Sequence, residues 1–322
     1  MHDETLLRPS SQGNESTQQE FSREKQVLKW LMGDRNYYTL RANRNIARDR
    51  KSGKPILLVH QMGKVGSTSV VASLEDLGVR QKYLLYQTHF LSPTGYEFLE
   101  KLELDGHGGW SRLPDKGKSF LSMSAALSRE VERGYFAERA VKVISLVRDP
   151  VATNLSGFFH NTAWWSPDVR HKVEMQVDGW QMLLWQHFLD IYPHDVPAKW
   201  FDMEIKPLLG IDVMAVPFSY TRGFQIYESQ IASMLLLKLE GLRTISTQAF
   251  QQFMGIDDFV LAASNKAENK WYADIYDEFK RTMSIPDSYL RRQYTTSYAR
   301  HFYSESELDA FRTRWSICQE KI

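Results

Sequence analysis

The stretch PILLVHQMGKVGSTS, residues 55–69, decides how this chain is read. Its first half, PILLVH, is a short continuous apolar run bounded by breakers, the pattern of a strand buried on both faces of a parallel sheet. Its second half carries two glycines, a lysine and three hydroxyl residues, and TSVVASLEDLG then shows helical spacing through Val71, Leu74 and Leu77, with Gly78 as a stop. Strand, loop and helix in that order read as a phosphate cradle, the other reading being a glycine-rich turn with a solvated lysine. Gly63 and Gly66 let backbone amides approach an anion, Lys64 adds a full charge beside Val65, and Ser67, Thr68 and Ser69 add hydroxyls at a helix N-terminus.

Working outward, KYLLYQTHF (82–90) reads as a second strand, FLSMSAALSREVERGYFAER as a helix after a loop rich in Gly and Asp, and AVKVISLV (140–147) as a third buried strand. The alternation predicts βαβ units, hence an α/β fold: a parallel sheet flanked by helices in three layers, with extra helices at both ends. Residues 21–50 supply one or two leading helices ending at Gly53 and Pro55; GWQMLLWQHFLDIY, ENKWYADIYDEFKRTM and SESELDAFRTRW are later helices. SMLLLKLEGL is a further strand running into a helix. Residues 1–22 are polar and read as a disordered or loosely attached arm, and residues 23–322 as a single domain.

Composition narrows the function. The 40 basic and 39 acidic residues nearly cancel, so no global field selects nucleic acid as a partner, and any anion site is local. A single cysteine, Cys318, excludes an internal disulfide framework and cysteine-held zinc or iron–sulfur clusters. No signal peptide and no integral membrane span are expected, and a cytoplasmic location fits.

A nucleoside-triphosphatase loop needs Gly-x-x-x-x-Gly-Lys-Ser/Thr, so that lysine heads the helix and the hydroxyl holds magnesium. Here Lys64 precedes the second glycine, and the third strand ends in Val147-Arg148-Asp149-Pro150, with arginine in front of the only nearby aspartate. Asp149 suits an N-cap and Pro150 the first helical position. Arg148, with Ser156 two helical turns further on, reads as a second, separate phosphate pocket, the other reading being an arginine paired with an acidic neighbour; taken with the first loop it suggests a ligand with two distinct phosphates.

GKVGSTS and RDPVATNLSGFF together resemble the P-loop-type sulfotransferases that use 3′-phosphoadenosine 5′-phosphosulfate (PAPS). More narrowly, ENKWYADIY resembles the bacterial family of capsular polysaccharide synthesis proteins known by an Asn-Lys-Trp-Tyr-Ser signature; Asn269, Lys270, Trp271 and Tyr272 match, and Ala273 stands in place of the serine. The resemblance extends from about residue 55 to the C-terminus. It implies that Gly63 to Ser69 hold the 5′-phosphosulfate of PAPS as co-substrate, that Arg148 and Ser156 hold its 3′-phosphate, that Lys64 is catalytic, and that no metal takes part. In the uronyl-type carbohydrate sulfotransferases a histidine at the second strand end is the base, a position that His89 fills; the other reading of His89 is a loop histidine bonded for structure.

The implied partner is a carbohydrate acceptor, a hydroxyl of a capsular or exopolysaccharide precursor. Trp164 and Trp165 either stack on a sugar face or pack in the core, and Tyr220, Arg222 and Gly223 lie in a loop that could reach an anionic ligand. The rival readings are a P-loop nucleotide-dependent kinase and a non-catalytic capsule-assembly protein. A glycosyltransferase lacks its Asp-x-Asp motif here.

Overall fold

The computed structural model describes residues 26–162, 165–262 and 271–316. The expected arm at residues 1–22, Trp164, and Asn269 and Lys270 of the signature lie outside the described residues.

A five-stranded sheet in the order β2-β1-β3-β5-β4 organises the chain. Its strands are β1 (Ile56–His60), β2 (Leu84–Thr88), β3 (Val141–Val147), β4 (Phe224–Glu228) and β5 (Ser233–Lys238). β1 pairs in parallel with β2 (Ile56 opposite Leu84) and with β3 (Ile56 opposite Val141), and β3 pairs in parallel with β5 (Val143 opposite Met234). Every residue of β1 is buried, as expected of a strand covered on both faces. The sheet is mixed rather than all-parallel, because β4 runs antiparallel to β5 with Phe224 opposite Leu237. Its sequence, FQIYE, is short, and Ile226 and Gln225 are only half-buried, so no apolar run marks it.

The described helices are α1 (Asp34–Ser52), α2 (Ser67–Asp76), α3 (Pro93–His107), α4 (Asp115–Glu132), α5 (Pro150–His160), α6 (Pro167–Glu174), α7 (Trp180–Ile191), α8 (Val196–Trp200), α9 (Lys206–Leu209), α10 (Leu242–Met254), α11 (Ala273–Thr282), α12 (Asp287–Tyr294), α13 (Ser297–Phe302) and α14 (Glu305–Ser316). Residues 26–32 add a short helical segment before Gly33 turns the chain into α1. A π-helical turn, Phe201–Ile205, joins α8 to α9. The Gly- and Asp-containing segment after β2, expected as a loop, is the helix α3: Ser92 accepts from the Gly95 amide as its N-cap and Pro93 takes the first position.

From β1 the chain steps outward to β2, returns across β1 to β3, then passes to the far edge at β4 and turns back antiparallel into β5. With right-handed crossovers the opposite steps from β1 to β2 and from β2 to β3 put α2 on one face and α3 and α4 on the other. The reversal opens a crevice at the carboxyl ends of β1 and β3, where open parallel sheets bind ligands.

Candidate functional site

The loop after β1 is pinned by its apolar members: Met62 and Val65 are fully buried, which leaves the half-buried Gly63, Lys64 and Gly66 to line its mouth. Lys64 has φ 68° and Gly66 φ 91°, both in the left-handed region. For a lysine that conformation costs about 1–2 kcal/mol, a strain that sits at the residue offered as the charged donor. Gly66 is required twice over, since a Cβ there would also come within 2.6 Å of Leu239 Cδ1 beyond β5. It is the N-cap of α2 and provides no side-chain acceptor to the first turn of that helix. Ser67 is buried and its hydroxyl accepts from Gln87 Nε2 at 3.0 Å; Ser69 is half-buried and Thr68 exposed.

His89 follows β2 and folds back onto this loop. Its Nδ1 lies 3.0 Å from the Gln61 carbonyl and 3.3 Å from Gln61 Nε2. A neutral ring that donates from Nδ1 to the carbonyl keeps its lone pair on Nε2. Burial pushes the His89 pKa below its ordinary value, the bond to the Gln61 carbonyl opposes this, and the nearby charges of His60 and Lys64 lower it further. Trp200 Nε1 donates to the His89 carbonyl at 2.8 Å, and the Phe120 ring lies 5.7 Å from the imidazole.

Beneath them, His60 is buried at the last position of β1. Its Nδ1 is 2.8 Å from Thr88 Oγ1, and its Nε2 is 3.2 Å from Glu204 Oε2, an ion-pair distance without the alignment of a hydrogen bond. Glu204, on the π-helical turn, is equally buried and accepts from the Leu91 amide (2.7 Å), the Ser92 amide (3.0 Å) and the Ser92 hydroxyl (2.7 Å). That carboxylate ties the start of α3 and the end of β1 to the chain's second half. His60, Gln61, Trp200 and Glu204 carry no signal in sequence alone, because their partners lie far away along the chain.

At the end of β3, Arg148 Nη1 donates to the Lys64 carbonyl at 2.8 Å. Arg148 thus spans from β3 onto the first loop and holds its strained residue. The Arg148 backbone is held by Tyr298 of α13, whose hydroxyl accepts from its amide (3.1 Å) and donates to its carbonyl (2.9 Å). Asp149 is buried and its carboxylate is saturated. Oδ1 accepts from the Val151 amide (3.0 Å) and the Tyr294 hydroxyl (3.0 Å), while Oδ2 accepts from Trp315 Nε1 (2.9 Å) and Arg314 (3.2 Å). Its amide donates to Glu240 Oε1 at 2.7 Å, and burial pushes the Glu240 carboxyl above its ordinary range.

Ser156 is half-buried on α5, about two turns from Asp149 and on the same face. His160, one turn beyond, meets the hydroxyl of Tyr272 at 3.2 Å, and the Tyr276 ring lies 4.6 Å from Phe159. The signature's tyrosine is thus packed against the helix that carries Ser156. The positive charge of Arg148 acts on Tyr276 as well.

Lys64, His89 and Arg148 converge from three strand ends, whereas the other aromatic candidates do not join them. Trp165 is buried against Phe158 and Phe159, so it packs in the core. Arg222 stacks on Phe224 and donates to Gln252 at 2.6 Å, and Tyr220 donates to the Arg300 carbonyl. Tyr220 and Arg300 line a surface hollow of about 280 Å³, and neither this hollow nor another of about 400 Å³ is lined by Lys64, His89 or Arg148.

The chain is an α/β protein with a glycine- and lysine-bearing loop at the carboxyl edge of a mostly parallel sheet. Residues 181–304 match the family model described as "NKWYS: Putative capsular polysaccharide synthesis protein". No curated protein and no solved structure gives a match. The matched segment starts after α5, so Lys64, His89, Arg148 and Ser156 lie outside it, while Trp200, Glu204, Tyr294 and Tyr298, which brace them, lie within.

Proposed function

We propose that the protein transfers a sulfuryl group from PAPS to a hydroxyl of a carbohydrate, a capsular or exopolysaccharide precursor. The observation that carries the reading is the hydrogen bond from Arg148 to the Lys64 carbonyl, which joins the β1 and β3 loops beside His89. An anion there meets Lys64, the first amides of α2 and the remaining Arg148 donors. The match to a capsule-synthesis family supports a carbohydrate acceptor.

In the proposed reaction the acceptor oxygen bonds to sulfur as the bond from sulfur to the 5′-phosphate oxygen breaks. The hydroxyl proton passes to His89 Nε2, and adenosine 3′,5′-bisphosphate leaves. Negative charge grows on the departing oxygen, where preorganised donors such as Lys64 contribute about 3–4 kcal/mol each. The bond from His89 Nδ1 to the Gln61 carbonyl favours the tautomer that can accept a proton, and the lowered pKa keeps the ring neutral at pH 7.

A magnesium-dependent kinase is disfavoured because the four donors on Asp149 leave its carboxylate no free lone pair for a metal without breaking the brace to α12 and α14. Thermal shift tests the assignment, since a ligand that binds only the native state raises Tm. Adenosine 3′,5′-bisphosphate should stabilise the protein without metal. Stabilisation by ATP and magnesium alone overturns the reading in favour of the kinase, and stabilisation by neither favours a non-catalytic assembly role.

A further inference from the structure

The helical segment 26–32 presents an apolar surface: Trp30 is 83% exposed, Leu31 65%, Val27 55% and Leu28 45%. Its inner side is fastened, with Lys29 Nζ 3.0 Å from Asp115, 3.1 Å from Asp34 and over the Tyr38 ring, so the apolar side is held outward. The same run continues into α1, whose buried side carries Tyr38, Ala42 and Ile46. The opposite side carries Arg41, Arg44, Arg48 and Lys51, at steps of three and four that align them in one stripe. Arg41, Arg44, Arg48 and Lys51 are all exposed, and among the described residues Arg48 has one carboxylate in reach, Asp49 at 4.0 Å.

Beside this stripe, between α1 and α4, lies the hollow of about 400 Å³ that Arg50, Arg129 and Arg133 line. Glu130 is shared by Arg50 and Arg133, and Glu138 is taken by Arg50, while Arg129 donates to the neutral Asn43 side chain at 3.1 Å. In a chain of net charge +1, a local basic stripe thus lies next to the most exposed aromatic residue among the described residues.

We propose that this end of the molecule docks on an anionic membrane surface, with Trp30, Leu31, Val27 and Leu28 entering the headgroup boundary and the Arg41–Lys51 stripe facing lipid phosphates. A basic stripe flanking a tryptophan–leucine face is the chemistry of helices that lie in the membrane interface. The stripe suits the surface charge of anionic lipids, and the hollow suits one headgroup phosphate. Aliphatic side chains at the centre of the patch fit acyl chains and have no counterpart in nucleic acid, which would need stacking planes.

Co-sedimentation of the full chain with vesicles tests this. Binding is expected to vesicles of equal parts phosphatidylglycerol and phosphatidylcholine, to be weak on phosphatidylcholine alone, and to fall with added salt. Arg41→Ala with Arg44→Ala should weaken partitioning roughly thirtyfold, from two charges at the membrane surface. Trp30→Ser with Leu31→Ser should abolish it, with circular dichroism unchanged in both variants. No binding to the anionic vesicles, binding unaltered by both variants, or tighter retention on an oligonucleotide than on the vesicles overturns the proposal. So does a wild-type dimer that Trp30→Ser with Leu31→Ser converts to monomer, which would make the patch a contact between two copies of the chain.

Discussion

Glu204 is the joint between the site and the second half of the chain, and a double-mutant cycle with Gly95 measures it. Replacing Glu204 by alanine strands the Leu91 and Ser92 amides and the Ser92 hydroxyl, and leaves His60 Nε2 facing a void. Breaking a buried charged contact in this way costs about 3–5 kcal/mol, a large part of a typical folding free energy of about 5–15 kcal/mol. Gly95→Ala attacks the same contact from the other side, because its Cβ would sit 1.6 Å from Glu204 Oε1 and 2.8 Å from Ser92 Oγ. Alanine's better helix propensity, about 1 kcal/mol, does not offset that collision, and a net loss of about 3 kcal/mol is expected. In the double variant the carboxylate that the methyl strikes is gone. Urea unfolding followed by circular dichroism should therefore show a double cost about 2 kcal/mol smaller than the sum of the singles. Additivity within about 0.5 kcal/mol would refute the packing of Glu204 against α3.

Three further outcomes follow from the site. Lys64→Gly should keep Tm close to the wild type, because relief of the left-handed strain offsets glycine's greater chain entropy, whereas Gly66→Ala should lose about 1–3 kcal/mol by thermal unfolding. His89, His194 and His301 all have pKa values pushed below 6.5, burial being the largest cause. The unfolded chain then binds more protons, so stability is full above pH 6.5 and falls progressively as the pH drops below it; stability that rises on acidification through pH 6 contradicts this. The same shift puts the acidic limb of any transfer rate below pH 6.5, and imidazole NMR of Lys64→Ala should show the His89 pKa moving upward. Asp149→Ala should cost about 3–5 kcal/mol in urea unfolding by releasing Tyr294, Trp315 and Arg314 from β3, and a small effect would mean those helices are held elsewhere.

Features whose causes are local were legible in the residues. The apolar runs at 56–60 and 141–147 are strands because their neighbours cover both faces, and Asp149-Pro150 opens α5 as a cap followed by a first-turn proline. Other features escaped because their causes are distant. β4 is an edge strand with half-buried residues and no periodic signal, and α3 was obscured by the Gly95 that Glu204 demands across the fold. Within the site, the charge of Lys64 and Arg148 could be read from their places at strand ends. That the two are hydrogen-bonded, that His60 meets Glu204, and that Tyr298 clamps Arg148 depend on contacts between residues far apart in the chain. The aromatic content was ambiguous for the same reason, and Trp200 proves to be a brace under His89.

Isothermal titration with adenosine 3′,5′-bisphosphate in the presence of EDTA tests the central claim most directly. The account predicts saturable one-to-one binding to the wild-type chain and at least tenfold weaker binding to Lys64→Ala and to Arg148→Ala, each with retained secondary structure. Absence of heat from the wild type, or an affinity unchanged by both substitutions, would contradict it.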